Sequence, residues 1–144
     1  MIIKCKKLTN SAIVPVQSSN GAAGFDMSVD INEPIIIKPH ETVMLPSNIA
    51  FEIPWGYFGA IYARSGISTK RGLRPATCVS VIDSDYRGGV GLPIHNDSEE
   101  DRVVQPHERV AQIVFQRCLD VELELADSLE ETDRGDAGFG STGR

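Results

Sequence analysis

The sequence has few of the residues that build metal cages, disulfide frameworks or membrane anchors. Its three cysteines, Cys5, Cys78 and Cys118, lie far apart. An odd count without CxxC spacing argues against a disulfide framework and a thiolate zinc site. The three histidines, His40, His95 and His107, are equally scattered, and His40 and His107 each adjoin a proline. They read as turn or surface residues rather than metal ligands. No apolar run approaches the roughly eighteen residues of a membrane-spanning helix. The N-terminus, Met1-Ile2-Ile3-Lys4-Cys5-Lys6-Lys7, has no apolar stretch of secretory length, so a cytoplasmic protein without a membrane role is expected. There is no internal repeat and no low-complexity tract.

Positive charge is also scarce, with 14 basic against 20 acidic residues and a net charge of −6. Residues 120 to 136 hold eight of the acids, Asp120, Glu122, Glu124, Asp127, Glu130, Glu131, Asp133 and Asp136, against Arg134 alone. The rest of the chain is therefore close to neutral. A duplex binder needs a basic stripe to displace phosphate counterions, and none is present, so no direct nucleic-acid partner is expected.

What remains is a chain of 144 residues, 41% hydrophobic, long enough for one domain with a real core. Short apolar runs separated by Pro and Gly read as strands at Ile35–Ile37, Val43–Leu45, Ile49–Ile53, Tyr57–Tyr62, Cys78–Ile82, Val90–His95, Arg109–Phe115 and Asp120–Leu125. The last alternates Val121, Leu123 and Leu125 with acids. Pro93, inside one of these runs, lacks a ladder donor and suggests an edge or a bulge. Only Ile67–Leu73 suits a short helix. Many short strands at close spacing imply an all-β jelly roll or distorted β-barrel. Residues 1–131 form that domain, and residues 132–144, rich in Gly, read as a mobile tail with too little apolar surface to offset its ordering.

Three clusters and two single residues carry chemistry. Gly138-Phe139-Gly140-Ser141-Thr142-Gly143 is a GxGxxG without the strand and helix of a dinucleotide fold. Its glycines and the Ser141 and Thr142 hydroxyls still suit a triphosphate, with Arg134 as cation and Phe139 as a stacking face. Arg64-Ser65-Gly66 follows an aromatic strand. It reads either as a phosphate cradle at a turn into a helix or as a helix cap on Ser65. Val81-Ile82-Asp83-Ser84-Asp85-Tyr86-Arg87-Gly88 sets carboxylates and an aromatic at a strand end. One carboxylate there can orient water, and the ring can pack on a sugar, unless the segment is an ordinary turn. Gln112 is an amide within a core-like strand, structural or ligand-contacting. Asp26, after Ala23-Gly24-Phe25, is a turn residue or a carboxylate facing metal-bound water.

With Ala23-Gly24-Phe25-Asp26 and Arg109-Val110-Ala111-Gln112 added, five segments stand in order and at intervals that resemble the trimeric dUTP pyrophosphatase (dUTPase) family. The resemblance covers nearly the whole chain. It implies a jelly-roll homotrimer, with active sites at subunit interfaces, that hydrolyses dUTP to dUMP and pyrophosphate. That reaction limits uracil in DNA and supplies dUMP for thymidylate synthesis. Asp83 would activate water for attack on the α-phosphorus, and Tyr86 would lie against the deoxyribose. Arg64, Ser65, Gly66 and Gln112 would hold phosphates. The hairpin over residues 77–83, with Val79, Ser80 and Ile82, would offer backbone groups to uracil. The tail would close over the ligand, with Phe139 on the base and Arg134, Gly140, Ser141 and Thr142 on the phosphates. Mg2+ would be held by the phosphates and waters rather than directly by the protein, with Asp26 near its shell.

Ser80 stands where the family usually has glycine, and Thr77-Cys78 also departs from common family sequences. Both touch affinity and base selectivity. Two alternatives share the fold. A dCTP deaminase-like enzyme needs a glutamate in the strand before an asparagine. Here Asn96 is present but Pro93 occupies the aligned position, and proline cannot transfer protons. A non-catalytic dUTP sensor would be favoured by loss of Asp83 or of the tail arginine, and both are retained.

Overall fold

The computed structural model describes residues Met1–Gly138. It contains eleven strands and one helix among those residues: β1 (Lys4–Lys7), β2 (Phe25–Ser28), β3 (Ile35–Ile37), β4 (Thr42–Pro46), β5 (Ile49–Glu52), β6 (Tyr57–Ala63), α1 (Ser65–Arg71), β7 (Leu73–Pro75), β8 (Ser80–Ile82), β9 (Gly91–Asn96), β10 (Arg102–Val104) and β11 (Arg109–Arg117). The strands form sheets of order β1-β5, β10-β3, β2-β11-β6-β8 and β4-β9-β7, all paired antiparallel. The architecture is an all-β jelly roll. Among the described residues no helix is long and apolar enough to cross a membrane, and all three cysteines are free and exposed.

Alternation of side chains explains where the core sits. Leu92 and Ile94 of β9 and Asn96 beyond them face inward, while Gly91, Pro93 and His95 are only partly covered. Met27, Ile37, Leu45, Ile49, Ile61 and Ile113 are fully buried and join these in one cluster. β11 is the spine, pairing with β2 on one side and with β6 along its length on the other. The four strands not foreseen are β1, β2, β7 and β10. Each is only three or four residues, and β1 (Lys-Cys-Lys-Lys) is exposed throughout. Their pairing comes from neighbours such as β5, not from local hydrophobicity.

Three expectations are corrected. Asp120–Leu125 is not a strand. After Cys118, whose N–H donates to the Gly56 carbonyl, the described chain lies exposed on the surface. Alternating residues need a neighbouring edge to pair with, and this segment pairs with none of the described strands. The helix starts at Ser65 and stops at Arg71 rather than spanning Ile67–Leu73. Gly72 adopts a left-handed conformation (φ 66°), its N–H closes on Ser68, and Leu73 already belongs to β7. Pro93 lies in the central strand of its sheet, with unbroken register against β4. Its carbonyl accepts from Ala76 N–H just past the end of β7. The absent N–H faces that same side, opposite Ala76, so the bond that would return to the Ala76 carbonyl is missing and the ladder between β7 and β9 stops there.

His40 and His107 are exposed turn residues with positive φ (59° and 62°). Asn96, fully buried, donates to the carbonyls of Ile37 and Glu100 and accepts from Ser98. Asp30 is a second buried tie. It accepts from Thr9 Oγ1 and, at 2.8 Å, from Asn48 Nδ2, which joins the exit from β1 to the turn between β4 and β5. Burial alone would raise the Asp30 pKa. Hydrogen bonds from Thr9, Asn48 and Ser11, with the charge of His107, bring it net below the ordinary aspartate value. A carboxyl with a depressed folded pKa stabilises above its unfolded pKa, and that contribution is lost as pH falls through the folded value. Asp30→Ala is expected to lose about 1–3 kcal/mol at neutral pH. Urea titrations should show the gap to the parent protein closing below about pH 4.

Candidate active site

Asp26 sits in β2, with Gln112 of β11 as its Cα partner, and its N–H donates to the Val16 carbonyl at 2.8 Å. Its carboxylate is only 9% exposed. Arg64, at the end of β6, donates from Nε to Asp26 Oδ1 at 2.7 Å and from Nη2 to Oδ2 at 3.1 Å. Arg109 donates from Nη1 to the same Oδ2 at 3.1 Å, and Ser18 Oγ adds a fourth bond at 2.7 Å. Nη1 of Arg64 also reaches the Arg109 carbonyl at 2.9 Å. A bulge between Arg109 and Ala111 lets Val110 and Ala111 both turn inward while Arg109 stays exposed and still reaches Asp26. Both Asp26 oxygens are thus engaged by protein donors, and the carboxylate orients two guanidinium groups.

These residues border a cavity of about 280 Å3 lined by Asp26, Arg64, Ser65, Gly66, Ile67 and Gln112. Arg64 is the N-cap of α1, extended at φ −90° and ψ 126°, with no side-chain cap; the cap expected on Ser65 is not formed. Ser65 and Gly66 are exposed, and an added Cβ on Gly66 would meet nothing within 4 Å. Gln112 Nε2 donates to the Ala63 carbonyl at 2.8 Å, one residue before Arg64. A Cβ on Gly24 would collide with the Gln112 amide, so glycine there is what admits the glutamine. The result is a positively edged cavity with hydroxyl and amide donors, suited to an anion.

The second group lies elsewhere. β8 pairs with β6 so that Ile82 opposes Gly59 and Ser80 opposes Ile61. Asp83 therefore falls beside the start of β6, six residues from Arg64, or roughly 20 Å along the strand. The Asp83 carbonyl accepts Tyr86 N–H at 3.2 Å, closing a turn, and its carboxylate is exposed and engaged by nothing among the described residues. It borders a separate cavity with Trp55, Tyr57, Asp85 and Leu119. Tyr86 is held by a 3.1 Å bond from its hydroxyl to the Gly89 carbonyl, and a Cβ on Gly88 would overlap its ring. Val79 stands in the turn before β8 and Ser80 opens that strand, Val79 exposed and Ser80 partly covered. Arg134 is exposed, in a turn where Ala137 N–H donates to its carbonyl. Phe139, Gly140, Ser141 and Thr142 lie outside the described residues. Among the described residues no three His, Cys, Asp or Glu side chains gather into a metal-binding group.

Residues 10–143 match the family model for dUTPase. The chain belongs to the dUTPase family. It is 40% identical over 146 residues to the deoxyuridine 5'-triphosphate nucleotidohydrolase of Orientia tsutsugamushi (strain Boryong), covering 99% of both chains. The enzyme of the same name from Desulfitobacterium hafniense (strain DSM 10664 / DCB-2) is 43% identical over 131 residues, covering 90% of this chain and 87% of that one. In three dimensions the chain is similar to the dUTPase of Staphylococcus bacteriophage 80alpha with dUpNHpp, with a TM-score of 0.85 at 27% identity and 99% of both chains covered.

Within this dUTPase-family chain, sequence reasoning did not assign roles to Arg109 or Ser18, and both converge on Asp26. Arg109 stood in a quoted motif without a function; only the bulge explains its reach. Asp26→Asn keeps the shape but leaves two guanidinium groups without their counter-charge. Fully buried pairs lose about 3–5 kcal/mol when broken. The partly exposed arginines put the expected loss at the lower end, about 2–3 kcal/mol, measurable by urea denaturation.

Proposed function

We propose that the protein hydrolyses dUTP to dUMP and pyrophosphate in the cytoplasm, as a homotrimer whose sites each draw on more than one copy. The observation that carries the assembly is the separation within one chain: the Asp83 carboxylate and the Arg64 cavity stand roughly 20 Å apart along one strand pair. A triphosphate cannot have its α-phosphorus at one and its other phosphates at the other. Two copies can supply the two groups to one ligand. An exposed apolar stripe, Leu119, Val121, Leu123 and Leu125, the last two 93% and 100% exposed, supports association, because a single chain leaves it in water.

In this reading the exposed Asp83 carboxylate orients water and takes its proton as the oxygen attacks the α-phosphorus, and the bond to the bridging oxygen of pyrophosphate breaks. Arg64, Ser65, Gly66 and Gln112 hold phosphate oxygens, and the orientation imposed by Asp26 keeps the Arg64 guanidinium ready without reorganisation. Tyr86, fixed through Gly89, presents its ring to the sugar. Val79, Ser80 and Ile82 present the hairpin backbone to uracil. The tail, residues 132–144, closes with Arg134, Phe139, Gly140, Ser141 and Thr142 over base and phosphates and excludes bulk water. With both Asp26 oxygens on the arginines and Ser18, the donor set suits Mg2+ carried by the substrate phosphates and waters. Bound there, the ion would neutralise phosphate charge.

Product analysis with Mg2+ and dUTP, dCTP, dTTP or UTP in turn should give dUMP and pyrophosphate from dUTP alone. Release of dUTP or dUMP from dCTP would point to a deaminase instead, and dUTP binding without turnover to a sensor. Asp83→Asn should bind dUTP but lose about 100-fold or more in turnover; near-parent turnover would remove Asp83 from the role. Co-expressing Asp83→Asn with Arg64→Gln should restore part of the activity that neither has alone. No restoration would mean that both groups serve one site from the same copy. Removing residues 134 to 144 should abolish most turnover while leaving the trimer intact. Dissociation would instead give the tail a structural role.

A further inference from the structure

The segment read as a hairpin, residues 77–83, joins β7 to β8, which pair with β9 and β6 and not with each other; its turn is short, exposed and bent tightly. Ala76 N–H donates to the Pro93 carbonyl at 2.8 Å, which pins its first residue to β9. At the tip, Val79 N–H reaches the Thr77 carbonyl at 2.6 Å across Cys78, whose φ is 58°. A three-residue turn with a non-glycine residue at positive φ is rare and strained, and it persists only where its surroundings hold it.

Two sets of contacts do so. Across the tip, the hydroxyls of Thr77 and Ser80 hydrogen-bond to each other. At the base, Arg74 of β7 donates from Nη1 to the Pro75 carbonyl at 3.2 Å and, at the long limit of 3.5 Å, to that of Ala76. The Pro75 carbonyl also accepts Cys78 N–H at 3.3 Å, so guanidinium and turn share one acceptor. Arg74 is itself fixed by a bidentate pair with Asp97, Nε to Oδ2 at 2.6 Å and Nη2 to Oδ1 at 3.0 Å. Asp97 has its own supports: its N–H donates to the Gly72 carbonyl at 2.8 Å, and His95 Nε2 lies 3.4 Å from Oδ1. Thr42 Oγ1 lies 2.8 Å from the other nitrogen of that His95 ring. None of Arg74, Asp97 or Thr77 borders the Asp26 or Asp83 cavities.

We infer that Arg74, clamped by Asp97, is a positioning residue for base selection. It holds the carbonyls of Pro75 and Ala76 and thereby sets the opening of the hairpin, which the Thr77–Ser80 hydroxyl pair closes at the tip. The inference rests on the reading of that hairpin as the uracil-binding element. It also gives Ser80 and Thr77 one shared reason: the serine supplies the hydroxyl that the threonine needs.

The test is steady-state kinetics of the full-length protein with dUTP, dTTP and dCTP, comparing Arg74→Ala, Arg74→Lys, Asp97→Asn and Val79→Trp. Arg74→Ala should raise KM for dUTP about tenfold, with kcat within about threefold of the parent, because hydrogen-bonding and preorganisation at the base are lost while the reacting groups are untouched. The preference for dUTP over dTTP should fall with it. Asp97→Asn should shift both in the same direction and add little on top of Arg74→Ala. Arg74→Lys should recover only part of the loss, because an ammonium cannot bridge carboxylate and carbonyls with a planar fork. An unchanged dUTP preference in Arg74→Ala, even with a lowered melting temperature, would overturn the inference and leave a structural ion pair. Val79→Trp separates the two levels, since a bulky side chain at the tip must obstruct a base bound there. If it raises KM and Arg74→Ala does not, only the brace is wrong. If Val79→Trp leaves KM and selectivity unchanged, the hairpin does not read the base and the inference falls with that reading.

Discussion

The Asp26 carboxylate is the tie on which the arginine-bearing end of the fold depends. Three strands of the central sheet end or turn near it: β2 supplies the carboxylate, β6 delivers Arg64, and β11 delivers Arg109. Without a negative charge there, two guanidinium groups would face each other at short range in a partly dehydrated setting, where repulsion is far stronger than in water. With it, each arginine has a fixed direction, and Arg64 still lines the cavity. The same tie constrains side chains that carry no charge. Gly24 must lack a Cβ so that Gln112 can pass, and Gln112 must reach Ala63 so that the strand end before Arg64 keeps its path. Polar satisfaction and site geometry are here one requirement.

A second constraint is the length of β6. Its seven residues separate the Arg64 end of the sheet from the end where β8 hands over to Asp83. Backbone rearrangement could close that distance only by breaking the β6–β8 register, which buries Ile61 in the core. The fold therefore holds the Arg64 cavity and the exposed Asp83 carboxylate rigidly apart. In the proposed assembly of identical chains that rigidity has a use: each copy would offer one group at one face and the other at another. The apolar residues between 119 and 129, idle in one copy, then acquire a physical purpose.

The fold was largely legible because its core strands carry their own pattern. Tyr57–Tyr62 and Arg109–Phe115 read as strands from β-branched and aromatic residues, the structure carries them on to Ala63 and Arg117, and Gly and Pro marked most boundaries. β1 was not legible, since Lys-Cys-Lys-Lys has no apolar face and owes its conformation to β5. Asp120–Leu125 misled in the opposite direction, with a strand's alternation but no pairing to any described strand. At the candidate site, residue types pointed to Arg64, Asp83 and Gln112. The Arg109–Asp26 bond depends on a bulge, and the Arg74–Asp97 pair spans 23 residues. Neither has a signature in one sequence, because each is a consequence of which strands end beside one another.

On the proposed reading of residues 77–83 as the base-binding element, a departure from a family's usual residue need not loosen a site. Glycine at position 80 would leave the tip free to relax the turn around Cys78. Serine gives up that freedom and gains a partner in Thr77. Strain at a positive-φ cysteine is tolerable only against a stiff base, and Arg74 supplies stiffness from outside by tying two successive carbonyls to Asp97. A glycine hairpin can mould itself to a bound base, whereas a braced one must already have the right opening. Discrimination against a 5-methyl group depends on steric fit, and steric fit requires a wall that does not yield. The same residues that look like departures are therefore those that make the wall rigid.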